Sequence, residues 1–240
     1  MAQFDLKNAL IYLQDGYSEA GAINNGAGYA EDATTIVVDG IVGAVPVGNL
    51  FVIAGDTTEY TVVSTVESSG NTTSITFTPG LAAAVLDNAV VTIGPRTLRV
   101  KIGEGNLTFS EKRAVEYIKD RGKIDEVRLG DEEPMEVKLD MQWQNLTGSD
   151  PNSAPPEPED VLKRRGAAAD WVSSDPDACR PYAVDIVLVY VPLCPSIKGE
   201  KIVLADYRYE MIDHDTKAGT ISTSGKCNIL QALVARFAQS

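Results

Sequence analysis

The chain has 240 residues, 44% of them apolar, with 34 acidic and 21 basic side chains and a single histidine, for a formal net charge of −13. That length supports one large β domain, or a domain carrying a smaller one, and the prominence of Val, Thr and Ile with scattered Gly and Pro favours a mainly β architecture with little helix. The acidic balance lacks the basic stripe and aromatic platforms of a nucleic-acid binder, and the most apolar run, Ala183 to Cys194, is too short to span a bilayer and carries Asp185 and Pro192.

The opening MAQFDLKNALIYLQDG lacks the basic and long apolar regions of a secretory signal, so synthesis in a cytoplasm is expected. Cys179, Cys194 and Cys227 are odd in number, lack metal-binding spacing and are expected to be reduced. After a short first strand, ALIYL, the passage GYSEAGAINNGAGYA reads as a loop or linker. Five runs then follow closely, TTIVVDG, NLFVIAG, TEYTVVSTVE, TTSITFTP and AVVTIG, each bounded by turn residues as in a small sandwich or barrel. No Lys or Arg occurs from Asn8 to Pro95, where Asp15, Glu19, Glu31, Asp32, Asp39, Asp56, Glu59, Glu67 and Asp87 are all negative. This charge break predicts a separate acidic β domain over residues 30–95, with residues 1–29 and 96–240 forming the main unit.

From Arg96 onward the charges are nearly balanced. LRVKI and NLTFS are joined by GEG, Gly103 to Gly105, which lacks the Lys-Ser/Thr of a phosphate loop and reads as a hairpin turn. KIDEVRL and MEVKLDMQW follow, so a meander of long polar-faced strands is expected. The proline-rich TGSDPNSAPPEPEDVLKRRG predicts a loop and one short helix that begins at Pro158, Glu159 and Asp160. It ends in Lys163, Arg164 and Arg165, the one dense basic cluster, which reads as a solvated or interface face. AVDIVLVYVPLC reads as a buried strand. In the last residues, Ile229, Leu230, Leu233, Val234 and Phe237 fall at helical spacing, with a continued strand as the alternative.

The one histidine, His214, lies between Asp213 and Asp215 in YRYEMIDHDTKAGTISTSGKCN. Tyr207, Tyr209 and Met211 alternate with Arg208 and Glu210, and Thr220, Ser222 and Ser224 with Ile221 and Thr223. Two strands therefore flank DHDTKAG, which places His214 in an exposed hairpin loop. Neither an H-E-x-x-H helix nor a C-x-x-C pair completes a zinc site, and no G-x-S-x-G supplies a nucleophile. No catalytic residue, metal or cofactor is assigned. Asp131, Glu132 and Glu133 read as solvated turn acids, and the N-x-T sequons at Asn71, Asn106 and Asn145 carry meaning only on a secretory route.

In order, KIGEGNLTFSEKRAVEYIKDRGKIDEVRLGDEEPMEVKLDMQW, PYAVDIVLVY and ADYRYEMIDHDTKAGTISTSGKCN resemble the tail tube (major tail) proteins of long-tailed bacteriophages. The likeness covers Arg96 to about Phe237 and the first strand, and the acidic unit resembles the small β domains that phage virion proteins carry as insertions. The resemblance implies a two-sheet β sandwich flanked by one helix, assembling as hexameric rings that stack into a hollow tube in the virion tail. It implies tape-measure and tail-completion proteins as partners, no membrane anchor, no enzymatic activity, and DNA passing without specific binding. An acidic lumen would repel duplex DNA and let it slide. Lys163, Arg164 and Arg165 are candidate inter-subunit contacts. The alternatives are a virion adaptor or tail-completion protein, a receptor- or glycan-binding module built on the acidic domain, and, more distantly, a hydrolase using the Asp213-His214-Asp215 triplet.

Overall fold

The computed structural model describes residues 9–41, 44–68, 71–103, 106–143, 156–192 and 198–237. It is mainly β, with 54% strand and 4% helix. The chain opens on strand β1 (Ala9–Gln14) and divides into two units, Gly16–Thr97 and a second made of Met1–Asp15 with Leu98–Ser240.

In Gly16–Thr97 the strands are β2 (Glu19–Ile23), β3 (Thr35–Asp39), β4 (Asn49–Ile53), β5 (Tyr60–Ser68), β6 (Thr72–Thr78) and the first part of β7 (Val90–Val100). They pair in the order β2-β3-β6-β5-β4-β7, all antiparallel, and β7 returns to β2. The sheet is thus a closed six-stranded barrel, and closure removes the unpaired edges that an open sheet exposes. Period-two alternation fills the interior with Ile36, Val38, Phe51, Ile53, Ile75 and Val91. At its centre Phe51, Tyr60 and Phe77 meet pairwise with ring centroids 5.1 to 5.2 Å apart. The buried Tyr60 hydroxyl donates to the Asp56 carboxylate and accepts the Ala82 N–H at 3.0 Å, so its polar end is satisfied.

The passage expected as a linker contains β2, which closes the barrel between β3 and β7. Its sequence, EAGAI, has one β-branched residue, Ile23, and is otherwise small or charged, because the neighbouring backbones crowd it. A Cβ on Gly21 would fall 2.5 Å from the Asp39 carbonyl oxygen. The unit accordingly begins at Gly16 rather than Ala30, and ends at Thr97 rather than Pro95.

The other unit continues through β8 (Leu107–Ser110), β9 (Val115–Asp120), β10 (Lys123–Leu129), β11 (Met135–Gln142), helix α1 (Pro158–Lys163), β12 (Val184–Tyr190), β13 (Gly199–Asp215), β14 (Thr220–Cys227) and β15 (Leu233–Phe237). The 17-residue β13 organises it. Its first half pairs β12 along one edge and β15 along the other, and its second half pairs β14. β1 extends the sheet beyond β12, and β11 and β8 extend it beyond β14. Between the halves the ladder is irregular: Val184 pairs Tyr207 while Ile186 pairs Leu204, and Asp206 takes a left-handed φ of 56°. The Asp206 N–H is accepted by the Asp185 carboxylate at 2.9 Å, which satisfies the backbone group that the bulge releases. Both halves feed one core, Ile11, Leu13 and Ile186 from one and Val137, Leu139 and Ile221 from the other, closed by Val161 and Leu162 of α1 and by Trp171.

α1 begins with Pro158 in its first turn, places Glu159 and Asp160 at the dipole-favoured end, and stops at Arg164, whose φ of 49° is left-handed. Three expectations change here. The helical spacing near the C-terminus belongs to β15, because β13 offers it an open edge. The strands flanking GEG do not form a hairpin, since β8 pairs β11 instead; Glu104 and Gly105 lie outside the described residues. The meander is interrupted, because β9 and β10 form a two-stranded sheet of their own.

Candidate functional site

His214 is a strand residue rather than a loop residue. β13 runs through Asp215, His214 sits opposite Ile221, and only residues 216–219 turn. Asp215 fixes that turn by accepting the N–H groups of Lys217 and Ala218 at 2.9 and 3.0 Å. The imidazole meets α1: its Nε2 lies 3.1 Å from Glu159 Oε2, and its ring centroid lies 6.0 Å from that of Trp143. Glu159 also receives Lys163 Nζ at 2.6 Å and Arg165 Nη2 at 2.9 Å, while Arg165 Nε donates to Asp160 at 3.0 Å. Burial pushes the Glu159 carboxyl up, but the hydrogen bonds from Lys163 and His214 and the charge of Arg165 outweigh it and hold the group below the ordinary carboxylate range. Arg164 places its guanidinium 5.7 Å from the centroid of the Tyr182 ring. Each member of the basic cluster therefore has a partner within the chain. What these groups form is a clamp between α1 and the β13–β14 hairpin.

A second charged knot was not foreseen. Asp175 is almost wholly buried and accepts Arg208 Nη2 at 2.6 Å, Arg180 Nη1 at 3.3 Å and the Asp177 N–H at 3.0 Å. The backbone bond from Asp177, countered by burial and joined by Arg208, holds its carboxyl below the ordinary range. Arg208 Nε also donates to the Pro181 carbonyl, tying β13 to the segment before β12. Cys179 is exposed and free; Cys227 is free and buried, its thiol pushed up to about 12 by burial first and by Asp185 and Asp206 second. Cys194 lies outside the described residues. Among the described residues no group of three or more His, Cys, Asp or Glu side chains could hold a metal ion, and no helix is long and apolar enough to cross a membrane.

The sheet β8–β11–β14–β13 has two faces of different character. Toward the core it presents Leu107, Phe109, Val137, Leu139 and Ile221. Strand alternation turns Thr108, Ser110, Gln142, Ser222 and Ser224 the other way, together with Met211, the acids Glu136, Asp140, Asp213 and Asp215 and the bases Lys138, Arg208 and Lys226, the last paired with Glu210 at 3.5 Å. That face is largely polar, with a small acidic excess. The chain's negative charge is concentrated instead on residues 16–97, where eight acids face the single base Arg96. Among the described residues neither the outer edge of β8 nor the edge of β13 beyond Arg208 has a strand neighbour.

The β9–β10 hairpin stands apart from the core. Its register, Leu129 opposite Val115, Val127 opposite Tyr117 and Ile124 opposite Lys119, gathers five apolar side chains and Lys119 on one face; Glu116, Ile118, Asp120, Lys123, Glu126 and Arg128 lie on the other. Every residue of both strands is exposed. The alternating pattern was visible in KIDEVRL, but nothing in it distinguishes a strand with a core behind it from one without. No protein-family model, curated protein or solved structure matches this chain.

Proposed function

We propose that this chain is the repeating structural subunit of a bacteriophage tail tube, with copies closing into hexameric rings and rings stacking into a hollow conduit for DNA. The observation that carries this reading is the sheet β8–β11–β14–β13, largely polar on its outer face and, among the described residues, without a strand neighbour at β8 or along β13 beyond Arg208. Open edges invite uncontrolled pairing unless something covers them. In a ring, the edge of β8 pairs with the edge of β13 of the next copy, which satisfies the backbone groups and wraps the polar face around a channel. A wall with five acids, Glu210 included, against three bases has no basic excess with which to hold duplex DNA by counterion release. DNA passes such a wall without specific binding, and tape-measure and tail-completion proteins are the partners at work in the virion tail.

The experiment is the assembly state of the purified protein, by light scattering after size exclusion and by negative-stain electron microscopy. Rings or tubes are expected. Polymer should increase with salt, because screening at a Debye length of about 8 Å near physiological ionic strength relieves the mutual repulsion of acidic subunits. Protein that stays monomeric across salt and concentration, or that binds duplex DNA tightly at physiological salt, refutes the reading.

A further inference from the structure

Two carboxylates meet where the β12–β13 ladder slips. The register passes from Ile186 opposite Leu204 to Val184 opposite Tyr207, so Ala205 and Asp206 have no partner on β12. Asp185 accepts the Asp206 N–H at 2.9 Å, and the Asp206 carboxylate accepts the Ser174 hydroxyl at 2.9 Å. The same hydroxyl also reaches the Asp185 carboxylate. A hydroxyl carries one proton, and here Asp206 takes it. With both acids ionised, Asp185 therefore faces the lone pairs of Ser174 Oγ and the charge of Asp206 with no proton between them. One proton bound at Asp185 completes a hydrogen-bonded row, from Asp185 O–H to Ser174 Oγ and from Ser174 O–H to Asp206. The surroundings make Asp185 the group that answers to pH. β13 contributes Asp206 and the charge of Lys201, β14 contributes the Cys227 thiol, which burial keeps neutral, and β1 sets the uncharged Gln14 opposite. Asp175, next to Ser174, is committed to Arg208 and Arg180. Burial first, and then the charge of Asp206, push the Asp185 carboxyl above its ordinary value of 3.8, against the pull of the Asp206 N–H, Ser174 and Lys201.

We propose that Ser174, Asp185 and Asp206 form a proton-operated lock at the irregular point of β13, closed when one proton completes the row and open when that proton leaves. Closed, the row ties β12, β13 and the segment before β12 together at one place. Open, it sets two like charges beside the stretch of ladder that already lacks pairs, so local opening of β13 starts there. The sign is the reverse of that for a carboxylate held by cations. Because the folded value is raised, the stabilisation is complete below the ordinary carboxylate range and is lost as pH rises through the raised value. The lock belongs to a single chain and operates whether or not copies assemble.

Asp185→Asn tests this, because the amide oxygen keeps the bond from the Asp206 N–H while the amide N–H donates to Ser174 at every pH, as the protonated acid does. Thermal unfolding of variant and wild type is followed from about pH 8 to about pH 4, and the difference at each pH is read, so that the other titrating groups cancel. At the alkaline end the variant should melt higher by about 2–4 °C, and the gap should close toward the acid end. Equal midpoints at the alkaline end, a variant that melts lower there, or a gap that does not change with pH overturns the lock. Hydrogen exchange on the wild type needs no substitution. After correction for the intrinsic rate, peptides covering residues 203–209 should gain protection as pH falls, and protection that is independent of pH overturns the proposal. In a Ser174→Ala background the gain from Asp185→Asn should shrink; an undiminished gain assigns the effect to burial alone and overturns the row.

Discussion

Replacing Glu159 with Gln keeps the side chain's shape but removes the charge that Lys163 and Arg165 share. The Glu159 side chain is 14% exposed, whereas Lys163 and Arg165 are 28% and 53% exposed. Those two resolvate readily once the carboxylate is gone, so the loss corresponds to one partly buried charge-assisted bond rather than two full ion pairs. It amounts to about 1–2 kcal/mol at pH 7. The pH dependence has a definite sign. The folded carboxyl sits below its ordinary range, so its contribution is complete above that range and disappears as pH falls through the lowered folded value. Urea unfolding followed by tryptophan fluorescence measures this directly, because Trp143 and Trp171 both belong to the unit that holds α1. The wild type should exceed Glu159→Gln by that amount at pH 7, equivalent to a thermal shift of about 2–8 °C for a unit of this size. In strong acid the two should converge. A gap absent at neutral pH, or one that persists unchanged in acid, refutes the clamp.

Phe77→Ala empties the centre of the aromatic trio in the barrel and should cost about 3–5 kcal/mol, read by calorimetry because residues 16–97 contain no tryptophan. Maleimide applied to the native protein at about pH 7.5 should modify Cys179 within minutes and reach Cys227 only after denaturation, as peptide mapping will show; early labelling of Cys227 contradicts its burial and raised pKa.

Strands rich in Val, Ile and Thr declared themselves in the sequence. TTIVVDG, TTSITFTP and MEVKLDMQW each hold a strand of the structure, because their alternation is the same physics that buries one face. β2 stayed hidden for the opposite reason: close backbone approach selects Ala and Gly, which carry no β signal. β15 showed apolar residues at helical spacing, and only the vacant edge of β13 settled their conformation. The charged knots were illegible in a stronger sense. His214 meets Glu159, and Arg208 meets Asp175, across long separations that no spacing rule encodes. Local reading paired His214 with its neighbours Asp213 and Asp215, whereas the sheet turns it toward α1. The polarity of the outer sheet face was legible strand by strand, but the two edges that lack a strand neighbour among the described residues emerged only from the pairing order.

The pairing of β2 with β7 has a consequence for how the whole chain folds. Glu19 lies opposite Ile93, so the roughly 80 residues between Asp15 and Leu98 leave the barrel almost where they came in. With the barrel unfolded, those residues form a long loop that β1 must close against the rest of its unit; with it folded, the same connection behaves as a turn of a few residues. The difference in closure entropy is about 2–3 kcal/mol. Each unit thus raises the other's stability through the chain alone, so a lesion in the barrel core lowers the melting temperature of the other unit as well.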